Sequence, residues 1–82
     1  MMKVTVTFHS YFRELTGRGE VHEELPEGTT LRELLARLHE RFPKLKSMER
    51  STLTAVGVEY ESGDYILQAG DEVSLFPPVQ GG

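Results

Sequence analysis

The residues of this chain that could do chemistry stand together as Pro77-Pro78-Val79-Gln80-Gly81-Gly82. Each Pro fixes φ and removes a backbone donor, so the segment is expected to be stiff and extended. At roughly 3.1–3.6 Å per residue it would reach about 20 Å. Gly81 and Gly82 carry no Cβ, so such a tip fits a slot too narrow for any other residue type. A frayed terminus would share the bare tip but would have no use for the paired prolines.

A carboxylate on Gly82 is a poor acyl donor, because its charge resists attack and its oxygen leaves badly. Activation, for example as an acyl-adenylate, removes both obstacles. The activated group could then take up sulfur as a thiocarboxylate or acylate an amine, and the residue pattern leaves both open. Activation requires a nucleotide, and the chain has no G-x-x-x-x-G-K-[ST] phosphate loop. A partner is therefore expected to do the activating.

The remaining side chains offer no second centre. His9, His22 and His39 lie far apart and off the i, i+4 spacing of a helical metal site, so they read as scattered surface residues. No metal is expected. The chain has no Cys, which removes disulfides and thiolate ligands and leaves it without a thiol of its own. The Ser residues have no recognisable His and acidic partners. Glu23-Glu24 and Asp71-Glu72 are expected to be solvated at strand edges and a turn. Arg37, Arg41, Lys44, Lys46 and Arg50 form a basic stretch, but Glu40 and Glu49 interrupt it, as in a solvated helix face. No constellation supports an autonomous enzyme.

Composition narrows the class further. A chain of 82 residues allows one small domain. Its 38% hydrophobic and 27% charged content is that of an ordinary globular protein. The net charge of −4 argues against nucleic-acid partners. Apolar runs are too short for a membrane span or a signal peptide, so a cytoplasmic location away from membranes is expected.

The elements that must position the tail can be read in order. Val4, Val6 and Phe8 alternate with Lys3, Thr5 and Thr7, the period of a strand with one buried face. Ser10 to Leu15 suits a short helical turn that Gly17 and Gly19 end, with Phe12 and Leu15 inward. Glu20 to Leu25 is extended and can pair with the first strand as a hairpin. Pro26-Glu27-Gly28 marks a turn, and Thr30 with Glu33 makes a capping box. Leu31, Leu34, Leu35 and Leu38 then form a helical stripe, which stops near Arg41 or Phe42 because Pro43 follows.

Lys44 to Ser51 reads as polar and irregular, anchored by Leu45 and Met48. Leu53 to Val58 reads as a strand buried on at least one side, and Glu59 to Asp64 as a turn or weak edge strand. Leu67 is expected to plug the core before a Gly70-Asp71 turn. Glu72 to Phe76 is the last strand, with Val73 and Leu75 on one face and Phe76 on the other. One main helix on one face of a mixed sheet is an α+β fold. The simplest closed solution is the ubiquitin-like β-grasp, whose first and last strands are central neighbours. That gives a domain over 1–76 and an extended tail over 77–82 leaving from the middle of the sheet.

These residues resemble the small, ubiquitin-like sulfur carriers of molybdopterin synthase and of the ThiS type. The likeness covers essentially the whole chain. Phe8 with Arg13-Glu14-Leu15 and Gly17 matches the opening strand and short helix. Leu25-Pro26-Glu27-Gly28-Thr29-Thr30-Leu31 with Leu34-Leu35 matches the turn into the main helix. Gly70-Asp71-Glu72-Val73, followed by Pro77-Pro78-Val79 and Gly81-Gly82, is the most specific block.

The resemblance implies that a ubiquitin-activating-like adenylyltransferase uses ATP and Mg²⁺ to adenylate Gly82. A persulfide donor then supplies sulfur, and the thiocarboxylate enters a large synthase subunit that builds the pterin dithiolene. The implied assembly is a heterotetramer, and the implied chain binds no cofactor itself. By the same resemblance Gly81 is the slim neck, and Pro77, Pro78, Val79 and Gln80 belong to the inserted tail. Phe76, Tyr60 and Arg13 match positions near the partner surface. His9, Gly57 and Gln80 depart from the family pattern. They leave a sister carrier for thiamine, tRNA or cysteine sulfur, or a protein modifier joined through Gly82, as alternatives.

Overall fold

The computed structural model describes residues 1–77. Among these residues five strands, two α-helices and a 3₁₀ segment follow one another. Strand β1 spans Met2–Phe8, helix α1 Tyr11–Thr16, strand β2 Glu20–Leu25 and helix α2 Leu31–Arg41. The 3₁₀ segment Pro43–Ser51 leads to β3 (Leu53–Val56), β4 (Glu59–Tyr60) and β5 (Glu72–Phe76). The sheet order is β2-β1-β5-β3-β4, with β1 and β5 parallel and the other neighbours antiparallel. This is the ubiquitin-like β-grasp read from the element order, and β5 is its central strand.

The register explains the core. Val21, Val6, Val73 and Val56 stand opposite one another across four strands, and all four are buried. Phe8 and Leu75 form the next buried pair. Against this face α2 sets Leu31, Leu34 and Leu38, each at most 1% exposed. Fully burying each such side chain contributes on the order of 1.5–3 kcal/mol. Leu67 is buried in the same cluster, as its plug role requires, and Leu15 packs against the edge of it. The ring of Phe42 meets Phe8 edge-on, with centroids 5.6 Å apart.

Helix α2 begins and ends where local chemistry dictates. The Glu33 N–H donates to Thr30 Oγ1 at 3.2 Å, and the Thr30 N–H donates to Glu33 Oε1 at 2.9 Å. This capping box satisfies donors that the first helical turn leaves free. At the other end Phe42 takes φ −129° and ψ 79°, outside the α region that a following Pro disfavours.

Three local readings change. Residues Pro43–Ser51 are not irregular: they wind as 3₁₀ helix with a kink at Met48, and Leu45 seats the segment in the core. Pro43 suits the first turn, where its missing N–H costs nothing. The strand expected over 53–58 ends at Val56. There Gly57, at φ 62°, opens a two-residue hairpin turn that places Glu59 opposite Val56. Val58 is left 96% exposed at the tip.

Glu23 is the third. It is buried on the helix-facing side of β2, between Val21 and Leu25, rather than solvated at an edge. Its carboxylate accepts from Arg41 and lies 3.9 Å from Arg37, so two members of the basic stretch serve an internal partner. Their spacing of four residues puts both guanidinium groups on one helix face.

Candidate functional site

The tail is launched by β5, so its origin is set by how that strand is held. Gly70 sits at φ 85°, a conformation that glycine tolerates and side chains resist, and its N–H donates to the Lys3 carbonyl at 2.8 Å. The carboxylate of Asp71 accepts from the Gln68 N–H at 2.8 Å and from the Tyr65 hydroxyl at 2.9 Å. The Thr5 N–H donates to the Asp71 carbonyl at 3.0 Å. Gly70-Asp71 is therefore the device that starts β5 in register beside β1. From there the ladder runs Thr5↔Glu72 to Phe8↔Leu75, and Leu53 faces Phe76 on the other side.

The far end of β5 is equally defined. The His9 N–H donates to the Leu75 carbonyl at 3.1 Å and completes the pairing on that side. Pro77 follows Phe76 and has no N–H with which to continue any ladder. Among the described residues β5 thus ends just before the sequence turns to prolines. Pro77 is half-buried. Pro78, Val79, Gln80, Gly81 and Gly82 lie outside the described residues.

The sheet face turned away from α2 is open, and at this end it is apolar. Alternation along the strands puts Phe76 and Leu53 on that face in one row, and Ala55 and Tyr60 in another. Tyr60 is 70% exposed, Leu53 is 41% exposed and Phe76 is half-buried. Ordinary sheet packing does not account for Tyr60, which has little to pack on. Tyr60 and Phe76 sit two strands apart, about 10 Å at the usual strand spacing.

The structure thus brings Phe76, Leu53 and Tyr60 onto one surface beside the tail's origin. Arg13 is exposed on α1, which begins just after His9 at the same end of the sheet. Among the described residues no hydrogen bond, ion pair or ring contact joins Arg13 to Phe76 or Tyr60.

The sequence does not mark two residues of this surface, Leu53 and His9, as part of a site. Leu53 was read only as part of a buried strand, although Leu53 and Ala55 alternate with Thr54 and Val56, which is the mark of two used faces. His9 is not a plain surface residue: its ring stacks on Phe76 with centroids 4.3 Å apart and planes 14° apart. Its Nε2 is covered and has no hydrogen-bond partner among the described residues. Elsewhere on the same open face, toward the β2 edge, His22 Nδ1 meets Thr5 Oγ1 at 3.2 Å. Among the described residues no group of His, Asp and Glu converges as a metal site would, and no helix is long and apolar enough to cross a membrane.

The comparisons with known proteins agree with this geometry. The ThiS family model matches residues 6–82. The molybdopterin synthase sulfur carrier subunit of Escherichia coli (strain K12) is 37% identical, over 96% of this chain and 99% of its own length. A solved structure from Pyrococcus furiosus, assigned as molybdopterin converting factor subunit 1, superposes with a TM-score of 0.88. It shares 36% identity and covers 96% of this chain and 100% of its own. The complex of subunits 1 and 2 of the Helicobacter pylori molybdopterin-converting factor contains a chain that matches with a TM-score of 0.72. That chain is 28% identical, over 99% of this one and 100% of its own. With the family pattern running from the first strand through the Gly-Gly tail, this chain belongs to the ThiS family of sulfur carriers.

Proposed function

We propose that this chain is the sulfur-carrying small subunit of a molybdopterin synthase, with Gly82 as its working residue. The observation that carries the reading is the placement of β5. The central strand ends at Phe76 beside an open apolar face, and the Pro-Pro-Val-Gln-Gly-Gly sequence follows it directly. An apolar surface next to a reactive tail is what a docking partner needs in order to seat the tail. The curated relatives carry the same functional name.

In this reading an adenylating enzyme converts the Gly82 carboxylate and ATP, with Mg²⁺, to the acyl-adenylate and pyrophosphate. The outer sulfur of a persulfide donor then displaces AMP to give an acyl disulfide, and a second thiol cleaves its S–S bond, releasing the thiocarboxylate and leaving the two thiols as a disulfide. The large subunit accepts the tail, its Phe76, Tyr60 and Leu53 side seats against the partner, and the sulfur passes to cyclic pyranopterin monophosphate. The chain itself supplies no catalytic side chain and holds neither nucleotide nor metal. Its contribution is a slim activated terminus delivered at a fixed place. The H. pylori complex of subunits 1 and 2 supports a large-subunit partner of this kind.

The test is an intact mass of the protein after incubation with ATP, Mg²⁺, a cognate adenylating enzyme and a sulfur donor. Replacement of one oxygen by sulfur at Gly82, followed by conversion of the pterin precursor with the large subunit, is the expected result. A chain that remains the free acid ends the carrier reading. A thiocarboxylate that reacts with no pterin precursor assigns the carrier to another sulfur acceptor.

A further inference from the structure

We propose that His9 is a positioning residue for the tail: its ring, stacked on Phe76, sets the direction in which the chain leaves β5. The inference rests on the carrier reading above, because it concerns how that tail is presented.

His9 is held at both of its backbone groups. Its N–H donates to the Leu75 carbonyl at 3.1 Å, and its carbonyl accepts from the Phe12 N–H at 3.1 Å. The next residue, Ser10, adopts φ 52° and ψ −130°, and it is the one non-glycine residue at positive φ among those described. A backbone held there costs on the order of 1–3 kcal/mol and persists where its surroundings demand it. The turn at Ser10 lets β1 run one residue past Phe8 and still send Phe12 into the core, where it is 1% exposed. That extra residue is His9, and its ring lies across Phe76.

Phe76 is the last residue of β5, and Pro77 cannot extend the ladder. Among the described residues the backbone ladder of β5 therefore ends at Phe76. On the β1 side, the stacked ring continues the grip beyond Leu75 among the described residues. Leu53 flanks Phe76 from β3. A planar ring parallel to Phe76 restricts the Phe76 side chain and, through it, the backbone entering Pro77. The same stack closes one side of the apolar surface that a partner would meet.

The test compares His9→Ala, His9→Leu and His9→Phe with the unaltered chain. Leu keeps volume without a ring plane and covers the case in which Ala fails to fold. Phe keeps the ring and loses both nitrogens. The activity readout is adenylation of Gly82 by the cognate activating enzyme with ATP and Mg²⁺, resolved into KM and kcat. The structural readout is the NMR shift of the Phe76 ring protons, which a stacked neighbour displaces.

The expected result for Ala and Leu is a KM raised about three- to tenfold, the range that loss of one aromatic pair produces. Their kcat should stay within about twofold, and the Phe76 ring shifts should relax. His9→Phe should restore both. A wild-type KM in the Leu variant, unchanged Phe76 shifts, or a Phe variant as impaired as Leu would overturn the proposal. An unaltered chain that the activator does not adenylate defeats the carrier reading instead, and the Phe76 shifts then decide the role of the stack.

Discussion

Glu23 and Arg41 meet in the gap between sheet and helix, a carboxylate from β2 accepting from the last residue of α2. The Glu23 side chain is only 10% exposed, whereas that of Arg41 is 44% exposed and lies over the Phe42 ring at 5.2 Å. The pair fastens the edge strand β2 to the end of the helix. Its two members should respond differently to replacement. Arg41→Ala leaves a nearly buried carboxylate with only the more distant Arg37, and should cost about 1–2 kcal/mol. Glu23→Leu removes the charge that needed a partner, and should change stability by less than about 1 kcal/mol. Thermal melts of the two variants check this, and an equal loss in both would refute the asymmetry.

Tyr65 should make the fold sensitive to alkali. Its hydroxyl donates to Asp71, and this bond, with partial burial and the nearby negative charge of Asp71 and Glu61, raises its pKa above the usual 10.0. The folded chain then keeps a proton that the unfolded chain releases. The contribution is complete below about pH 10 and is lost as pH rises through the folded value. Tyr65→Phe should cost about 0.5–1.5 kcal/mol at neutral pH and flatten the decline above pH 10. Denaturant titrations across the alkaline range give the answer.

Tyr60 separates docking from folding. At 70% exposure on the edge strand, it carries little of the core. Tyr60→Ala should change stability by no more than about 0.5 kcal/mol. If the surface binds as proposed, the same change should weaken affinity for the cognate large subunit by about tenfold or more, as removal of an exposed aromatic anchor does. Calorimetry of the complex beside a melting curve of the free chain distinguishes the two effects.

Removing Gly82 makes the opposite demand on the tail. Among the described residues the core cluster is built from residues 2–75, none of which is changed by shortening the chain by one residue. The melting temperature should therefore stay within about 2 °C, while uptake of sulfur is abolished. A large fall in melting temperature would make the tail a structural element.

The helix start offers a local control. Thr30→Ala removes the side-chain half of the capping box and should cost about 1 kcal/mol without altering sulfur uptake by the folded fraction. A urea titration beside the intact-mass assay tests both halves of that expectation.

Much of this protein is local, and what is local is legible in the chain. Alternation at Val4, Val6 and Phe8, the Thr30–Glu33 box, the Leu31–Leu38 stripe and the stop before Pro43 each follow from a few neighbouring residues. Steric preference and side-chain periodicity act over one or two turns, so they need no tertiary partner to be read.

Tertiary structure decided the rest. Glu23 looks like surface charge until β2 lies against α2 and Arg41 comes within reach from 18 positions along the chain. Leu53 looks like core until its register with Phe76 turns it to the open face. His9 looks unremarkable until the parallel pairing of β1 and β5 lays its ring on a residue near the other end of the chain. Each depends on which strands are neighbours and in what register. That choice is made by the summed burial of the whole core, so no short stretch of sequence contains it.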